Sequence, residues 1–161
     1  VRKELVEVIE VKRLKPGDEE EAGRIAERWY SGKGEVAEYR AFLSEKENYI
    51  LAAYSEGELA GFLIGYELKR LETSQPMMLL YTIDVLPEYQ RKGVGKKLVN
   101  DLKRLCTRRG ALKMFVITNE SNQPAMALYS STGGKRESTD DVVFVYRADS
   151  LEESDTLCQE E

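Results

Sequence analysis

Along the chain the spacing of apolar positions switches between a period of two and a period near 3.6, and each switch marks an element. Glu7 to Leu14 alternates, setting Val8, Glu10 and Lys12 against Glu7, Ile9 and Val11, and predicts a short strand. Pro16-Gly17-Asp18 is a turn, and Asp18 with Glu21 has the spacing of a capping box. Ala22, Ile25, Ala26 and Trp29 then form the apolar face of a helix that Ser31-Gly32-Lys33-Gly34 ends. Glu35 to Glu45 predicts a second helix with Val36, Tyr39, Phe42 and Leu43 inward. Tyr49 to Tyr54 and Leu59 to Leu68 are strands joined by a hairpin turn at Ser55-Glu56-Gly57-Glu58. Gly61 and Gly65 in the second of them predict a bulge or a close approach of another segment.

Leu79 to Val85 is β-branched and apolar, as a buried strand should be, and Pro87 stops it. Gln90 to Gly95 is a turn. Val94, Leu98, Leu102, Leu105 and Cys106 then fall at helical spacing up to Gly110. Ala111 to Thr118 is the next strand. A strand, helix, strand order implies a right-handed crossover and parallel pairing. Asn119 to Pro124 enters a last helix carrying Ala125, Leu128, Tyr129 and Thr132, ended by Gly133-Gly134. Val142 to Tyr146 reads as a final strand, paired with Gly134 to Ser138 across Thr139-Asp140-Asp141. Val1 to Val6 is charged and expected to fray. The acidic stretch 148–161 is expected to be a flexible tail, which leaves one domain over 7–147.

Composition narrows the function. The 161 residues suffice for one domain with a real core. Charged residues make up 33%, with a net charge of -5, which argues against general nucleic-acid binding and suits solubility or a cationic substrate. There is no histidine, which excludes a Ser/His/Asp triad, a histidine base and most catalytic zinc sites, and no metal is expected. The two cysteines, Cys106 and Cys158, do not make a disulfide framework. No segment is long and apolar enough to span a membrane and no signal-peptide pattern opens the chain, so a cytoplasmic setting is expected.

The chemistry gathers at the turn after Val85. A helix N-terminus offers unpaired N–H donors and partial positive charge, which favour an anion. Gly93 and Gly95 carry no side chain to hold a phosphate off, and Arg91, Lys92, Lys96 and Lys97 add charge. The Walker A and Rossmann patterns are both absent. A strand-to-helix turn with no ligand is the competing reading of the glycines alone.

Gln90-Arg91-Lys92-Gly93-Val94-Gly95 resembles the pyrophosphate loop of the GNAT N-acetyltransferase superfamily, and Asn122-Gln123-Pro124-Ala125-Met126-Ala127-Leu128-Tyr129 with Gly133 resembles its second signature. The two occur in the family's order over about Glu10 to Tyr146. The resemblance implies an α/β fold with a mixed central sheet of about six to seven strands, a V-shaped splay between the fourth and fifth, and about four helices. Thr118 to Asn122 with Ala127-Leu128-Tyr129-Ser130-Ser131-Thr132-Gly133-Gly134 further resembles the aminoglycoside 3-N-acetyltransferase type I branch. There is one departure: Thr82 follows Tyr81 where that branch has an acid.

The resemblance implies an enzyme that uses acetyl-CoA as cosubstrate. The open edge at Ile83 to Val85 would face the pantetheine arm, with the Val85 N–H polarising the thioester carbonyl. Gln90, Arg91, Lys92, Gly93, Val94, Gly95 and Lys96 would hold the pyrophosphate. Asn122 would bond the pantetheine, and Tyr129 would give a proton to the departing thiolate. From the residues alone, Asn122 reads as a helix cap and Tyr129 as a core aromatic.

The attacking amine must lose a proton, and without histidine the base must be a carboxylate or solvent. Asp84 is the first candidate, on the strand face opposite Ile83 and Val85. Glu67 and Glu38 are alternatives, and Asp84 as a structural carboxylate is equally consistent. The acceptor expected is a primary amine on a small molecule such as an aminoglycoside or other polyamine. Acetylation of a protein or peptide amine, and an acetyl-CoA sensor without turnover, are the alternatives. No nucleic-acid or membrane partner is expected. Homodimers are common in the family, and the final strand offers a pairing edge.

Overall fold

A computed structural model describes residues 8–32 and 34–147. The expectations for Val1 to Val6 and for the stretch 148–161 lie outside the described residues. The elements in order are β1 (Ile9–Arg13), α1 (Glu19–Trp29), α2 (Val36–Ser44), β2 (Asn48–Ser55), β3 (Glu58–Leu68), β4 (Met77–Val85), a 3-10 turn (Pro87–Tyr89), α3 (Val94–Arg109), β5 (Lys113–Val116) and α4 (Gln123–Ser131). One sheet runs β1-β2-β3-β4-β5. Its first three pairings are antiparallel and β4–β5 is parallel, with α3 as the crossover.

Two cores flank the sheet. On one face Val94, Leu98, Val99, Leu102 and Cys106 of α3 pack on Tyr49, Leu51, Leu63, Met78 and Leu80. On the other, Ala22 and Ile25 of α1 and Leu43 of α2 pack on Ile50, Ala52 and Phe62. A sheet buried on both sides explains why β2 and β3 read as nearly continuous apolar runs. The hairpin between them turns on Glu56 and Gly57, both at positive φ, which matches the twist of the paired strands.

Several expectations are corrected by packing. Five strands stand among the described residues where six to seven were expected. Neither Val142–Tyr146 nor Gly134–Ser138 joins a ladder, and Val142 to Tyr146 are all exposed. An apolar β-branched run makes a strand only where an edge receives it, and here none does. β5 is also shorter than the expected Ala111 to Thr118.

Asp18 does not cap α1; its carboxylate accepts the Lys15 N–H at 2.9 Å and pairs with Lys12 at 2.6 Å, a contact that holds its pKa below the usual carboxylate range. The capping box forms instead at α2, between Glu35 and Glu38. Val36 points outward, 57% exposed, because the α2 face that meets the sheet is set by Leu43.

Candidate active site

The pairing of β4 with β5 runs only from Met77–Lys113 to Leu80–Val116. β4 continues to Val85, so among the described residues Tyr81 to Val85 have β3 on one side and no strand on the other. This opening fits the V-shaped splay that the family resemblance implies between the fourth and fifth strands.

A bulge re-aims this segment. β3 pairs Ile64 with Thr82 and Gly65 with Leu80, which leaves Tyr81 as the extra residue. Met78 and Leu80 therefore face α3 before the bulge, and Ile83 and Val85 face it afterwards. Thr82 and Asp84 turn to the α1–α2 face, with Asp84 opposite Phe62. Gly61 lets the strands close here: a Cβ on it would lie 2.7 Å from the Asp84 carbonyl oxygen.

Both polar backbone groups of Val85 are engaged. Its N–H donates to Asp84 Oδ1 at 2.7 Å, and its carbonyl accepts from Gln90 Nε2 at 2.9 Å. Gln90 thus ties the glycine turn to the strand end with its side chain, where the expectation gave it to a phosphate.

α3 begins at Gly93, whose φ of 93° is left-handed, and no side chain caps it. Its first intrahelical bond is Lys97 N–H to the Gly93 carbonyl at 3.0 Å. The preceding N–H groups of Val94, Gly95 and Lys96 are those a helix leaves to a ligand or water. Arg91 is also left-handed, at φ 59°. An uncapped helix start beside an open strand end fits the pyrophosphate and pantetheine of acetyl-CoA. The two glycines divide the work. Gly93 supplies the turn, while a Cβ on Gly95 would touch Leu128 at 3.4 Å, so Gly95 seats α4 against α3.

Asn122 caps α4: its Oδ1 accepts the Ala125 N–H at 3.2 Å, and its amide nitrogen is left over for a ligand. Tyr129 is half-buried against the α3-side core, and burial pushes its phenol above the ordinary tyrosine range, so it carries its proton at neutral pH. Both residues are therefore structural and still able to meet a ligand.

The three carboxylates suggested as bases separate clearly. Glu67 is buried on the α3 face near the end of β3, where Arg109 grips it through two bonds of 2.8 and 2.9 Å and Tyr49 donates at 2.8 Å, so both its oxygens are engaged in a structural ion pair. Glu38 caps α2 and borders a cavity of about 250 Å³ between α1, α2 and the sheet, whose walls include Ile25, Tyr30, Tyr39 and Phe42. Asp84 is exposed at the splayed end.

Sequence reasoning missed the aromatic surroundings of Asp84. Tyr66 and Tyr81 rings meet edge to face at 5.4 Å, and Phe42 meets Tyr66 at 6.0 Å. Burial pushes the Tyr30 phenol up, and Tyr81, Tyr66 and Asp84 add to that shift. Three phenols and a carboxylate thus share the α1–α2 face. Gly65 marked a bulge in the sequence, and the β3–β4 register shifts at Ile64/Gly65, but which residue of β4 the bulge would turn was not legible, so only the tyrosine content hinted at this cluster.

Comparison with known proteins agrees with this geometry. The profile of the acetyltransferase (GNAT) family matches residues 15–133. A spermidine N(1)-acetyltransferase of Thermoplasma acidophilum is 28% identical over 95 residues, which cover 59% of this chain and 55% of that protein. The N-alpha-acetyltransferase RimI of Mycobacterium tuberculosis is 32% identical over 101 residues, covering 62% and 60%. The chain thus spans little more than half the length of these curated relatives. An aminoglycoside acetyltransferase from an uncultured soil metagenomic sample superposes with a TM-score of 0.71 at 30% identity, over 86% of this chain and 99% of that one.

Proposed function

The chain belongs to the acetyltransferase (GNAT) family, and on that premise we propose that it moves the acetyl group of acetyl-CoA to a primary amine carried by a small cationic molecule. One observation carries the choice of acceptor: Asp84 stands at the open end of β4 on the same face as Tyr30, Tyr66 and Tyr81. Ring faces and a carboxylate attract an ammonium group. The likenesses to a spermidine and an aminoglycoside acetyltransferase support an amine of this kind.

Acetyl-CoA, when bound, supplies an acetyl thioester, whose carbon–sulfur bond breaks as the amine nitrogen bonds to the acetyl carbon. The N–H groups and side chains of Arg91 to Lys96 hold its pyrophosphate, and the Asn122 amide nitrogen meets the pantetheine. Ile83 and Val85 line the open strand edge. Asp84 takes the proton that the ammonium must lose, directly or through a water. Tyr129 gives its phenolic proton to the leaving sulfur. The Val85 N–H donates to the carbonyl oxygen as charge builds there. That donor now serves Asp84, so the carboxylate releases it as it turns toward the amine. Holding amine and thioester together supplies much of the remaining rate.

A protein N-terminus is the second reading, and the RimI likeness favours it. The deciding experiment is free-thiol release from acetyl-CoA with spermidine-type polyamines, aminoglycosides and peptides in parallel. Turnover with the small polyamines or aminoglycosides is the expected result. Turnover with peptides alone overturns the choice of acceptor. Acetyl-CoA binding with no turnover on any amine overturns the enzymatic reading in favour of a sensor.

A further inference from the structure

At the opposite end of α3 from the glycine turn, Arg13, Lys46, Tyr49 and Arg109 line a second cavity of about 220 Å³. Sixteen helical residues separate the two places by about 24 Å. Three of the four lining residues are cations from three separate parts of the chain. Arg13 ends β1, Lys46 lies between α2 and β2, and Arg109 ends α3.

Only one of these cations is matched by an acid. Glu67 engages Arg109 through Nε and one terminal nitrogen and leaves the other terminal nitrogen available. Arg13 and Lys46 pair with no carboxylate among the described residues. The Arg13 guanidinium stacks on the Tyr49 ring at 4.0 Å. One of its terminal nitrogens reaches the Lys46 and Asn48 carbonyls at 3.5 Å, the long limit of a hydrogen bond. Its Nε is buried with no acceptor among the described residues. A buried donor without a partner is costly, and three positive charges against one negative leave the cavity with a surplus of two.

The Cys106 and Thr107 carbonyls, which would repel an anion, accept from Ala111 and Gly110 N–H groups at 3.0 and 3.1 Å. The Tyr49 hydroxyl is committed to Glu67, to which it donates. The side-chain groups left to the cavity are therefore donors: the remaining Arg109 nitrogen, the Lys46 ammonium and the Arg13 guanidinium, whose Nε itself is buried.

We propose that this cavity, bounded by Arg13, Lys46 and Arg109, binds a phosphate group, either as inorganic phosphate or on a small phosphate monoester. Arg13 and the free Arg109 nitrogen offer charged donors to phosphate oxygens, and Lys46 adds a mobile charge. At about 30 Å³ per water, the volume admits a phosphate group with several waters. The site is separate from the glycine turn and does not depend on which amine the protein acetylates.

The test keeps the glycine turn occupied. The full chain, saturated with CoA, is titrated with inorganic phosphate and separately with glycerol 3-phosphate, and ¹H–¹⁵N spectra follow the Arg13 and Arg109 Nε–H signals. The expected result is saturable shifts at those signals with a Kd below about 10 mM. Lys46→Gln, in an exposed loop, weakens binding about 3- to 10-fold. Arg13→Gln, checked for folding by its melting curve, abolishes it. Tighter binding of the ester than of inorganic phosphate assigns the site to an ester, and the reverse assigns it to the free ion. Shifts confined to Gly93–Lys96, or an affinity unchanged in Lys46→Gln and in folded Arg13→Gln, overturn the proposal.

Discussion

The Asp84 carboxylate accepts the N–H of Val85, the next residue along, at 2.7 Å. The group proposed to take the amine proton and the donor proposed to hold the thioester oxygen thus hold each other. The proposed mechanism requires that contact to break. Asp84→Asn keeps an acceptor for the N–H and loses the base. It is expected to lower kcat/KM by about 10² to 10⁴. If kcat/KM is unchanged in Asp84→Asn, Asp84 only caps the strand end.

Tyr129 is half-buried against the α3-side core, and no protein acceptor for its hydroxyl is found among the described residues. Tyr129→Phe keeps the ring. The melting temperature is expected to stay within a degree or two, while kcat falls about 10- to 100-fold with KM for acetyl-CoA unchanged. A parallel rise in KM would point to a binding role instead.

Gly93 and Gly95 should respond oppositely to alanine. At Gly93 the left-handed φ of 93° makes any side chain strained, and Gly93→Ala is expected to cost about 1–2 kcal/mol of stability. At Gly95 a Cβ meets flexible Leu128 methyls at 3.4 Å and a Val85 methyl at 3.9 Å. Alanine there gains helix propensity of about 0.8–1 kcal/mol, so Gly95→Ala should be neutral or stabilising. Chemical denaturation of the two variants separates the cases.

Glu67 ties β3 to the end of α3. The Arg109 guanidinium holds its carboxyl below the usual carboxylate range, against the opposing effect of burial. A depressed carboxylate adds stability that is fully present above its unfolded pKa and is lost as pH falls through the folded one. The acid limb of unfolding should therefore begin below about pH 4.3 and shrink in Glu67→Gln. Near pH 7 that variant is expected to lose about 2–3 kcal/mol, the scale of a charged hydrogen-bonded contact, measured by denaturant titration. An acid limb of unchanged size in Glu67→Gln would show that other carboxylates set it.

The hairpin, the glycine turn and α3 were legible because each is dictated by neighbours in sequence. Glu56-Gly57 takes the positive φ values of a tight hairpin, Gly93 and Gly110 bracket α3 at left-handed φ, and the 3.6 period of Leu98, Leu102 and Cys106 fixes its buried face. The capping boxes show the limit of that reading. Asp18 and Glu35 have comparable spacing to a later glutamate, yet only Glu35 caps, since Lys12 lies across from Asp18 and takes its carboxylate.

What the sequence determined by itself was local: the order of strands and helices, the turn that presents α3's N–H groups, and the Asn122 cap. Only the tertiary structure decided the rest. The absence of a ladder partner for Val142–Tyr146 among the described residues, the choice of Tyr81 as the β4 residue that the Gly65 bulge turns, and the burial of Glu67 beside Arg109 all depend on which strands lie side by side. The same is true of the gathering of Tyr30, Tyr66 and Tyr81 around Asp84. Periodicity records which face of an element is apolar. Strand register and the meeting of distant charges arise from long-range pairing, whose free energy is spread over the whole sheet and written in no single stretch of chain.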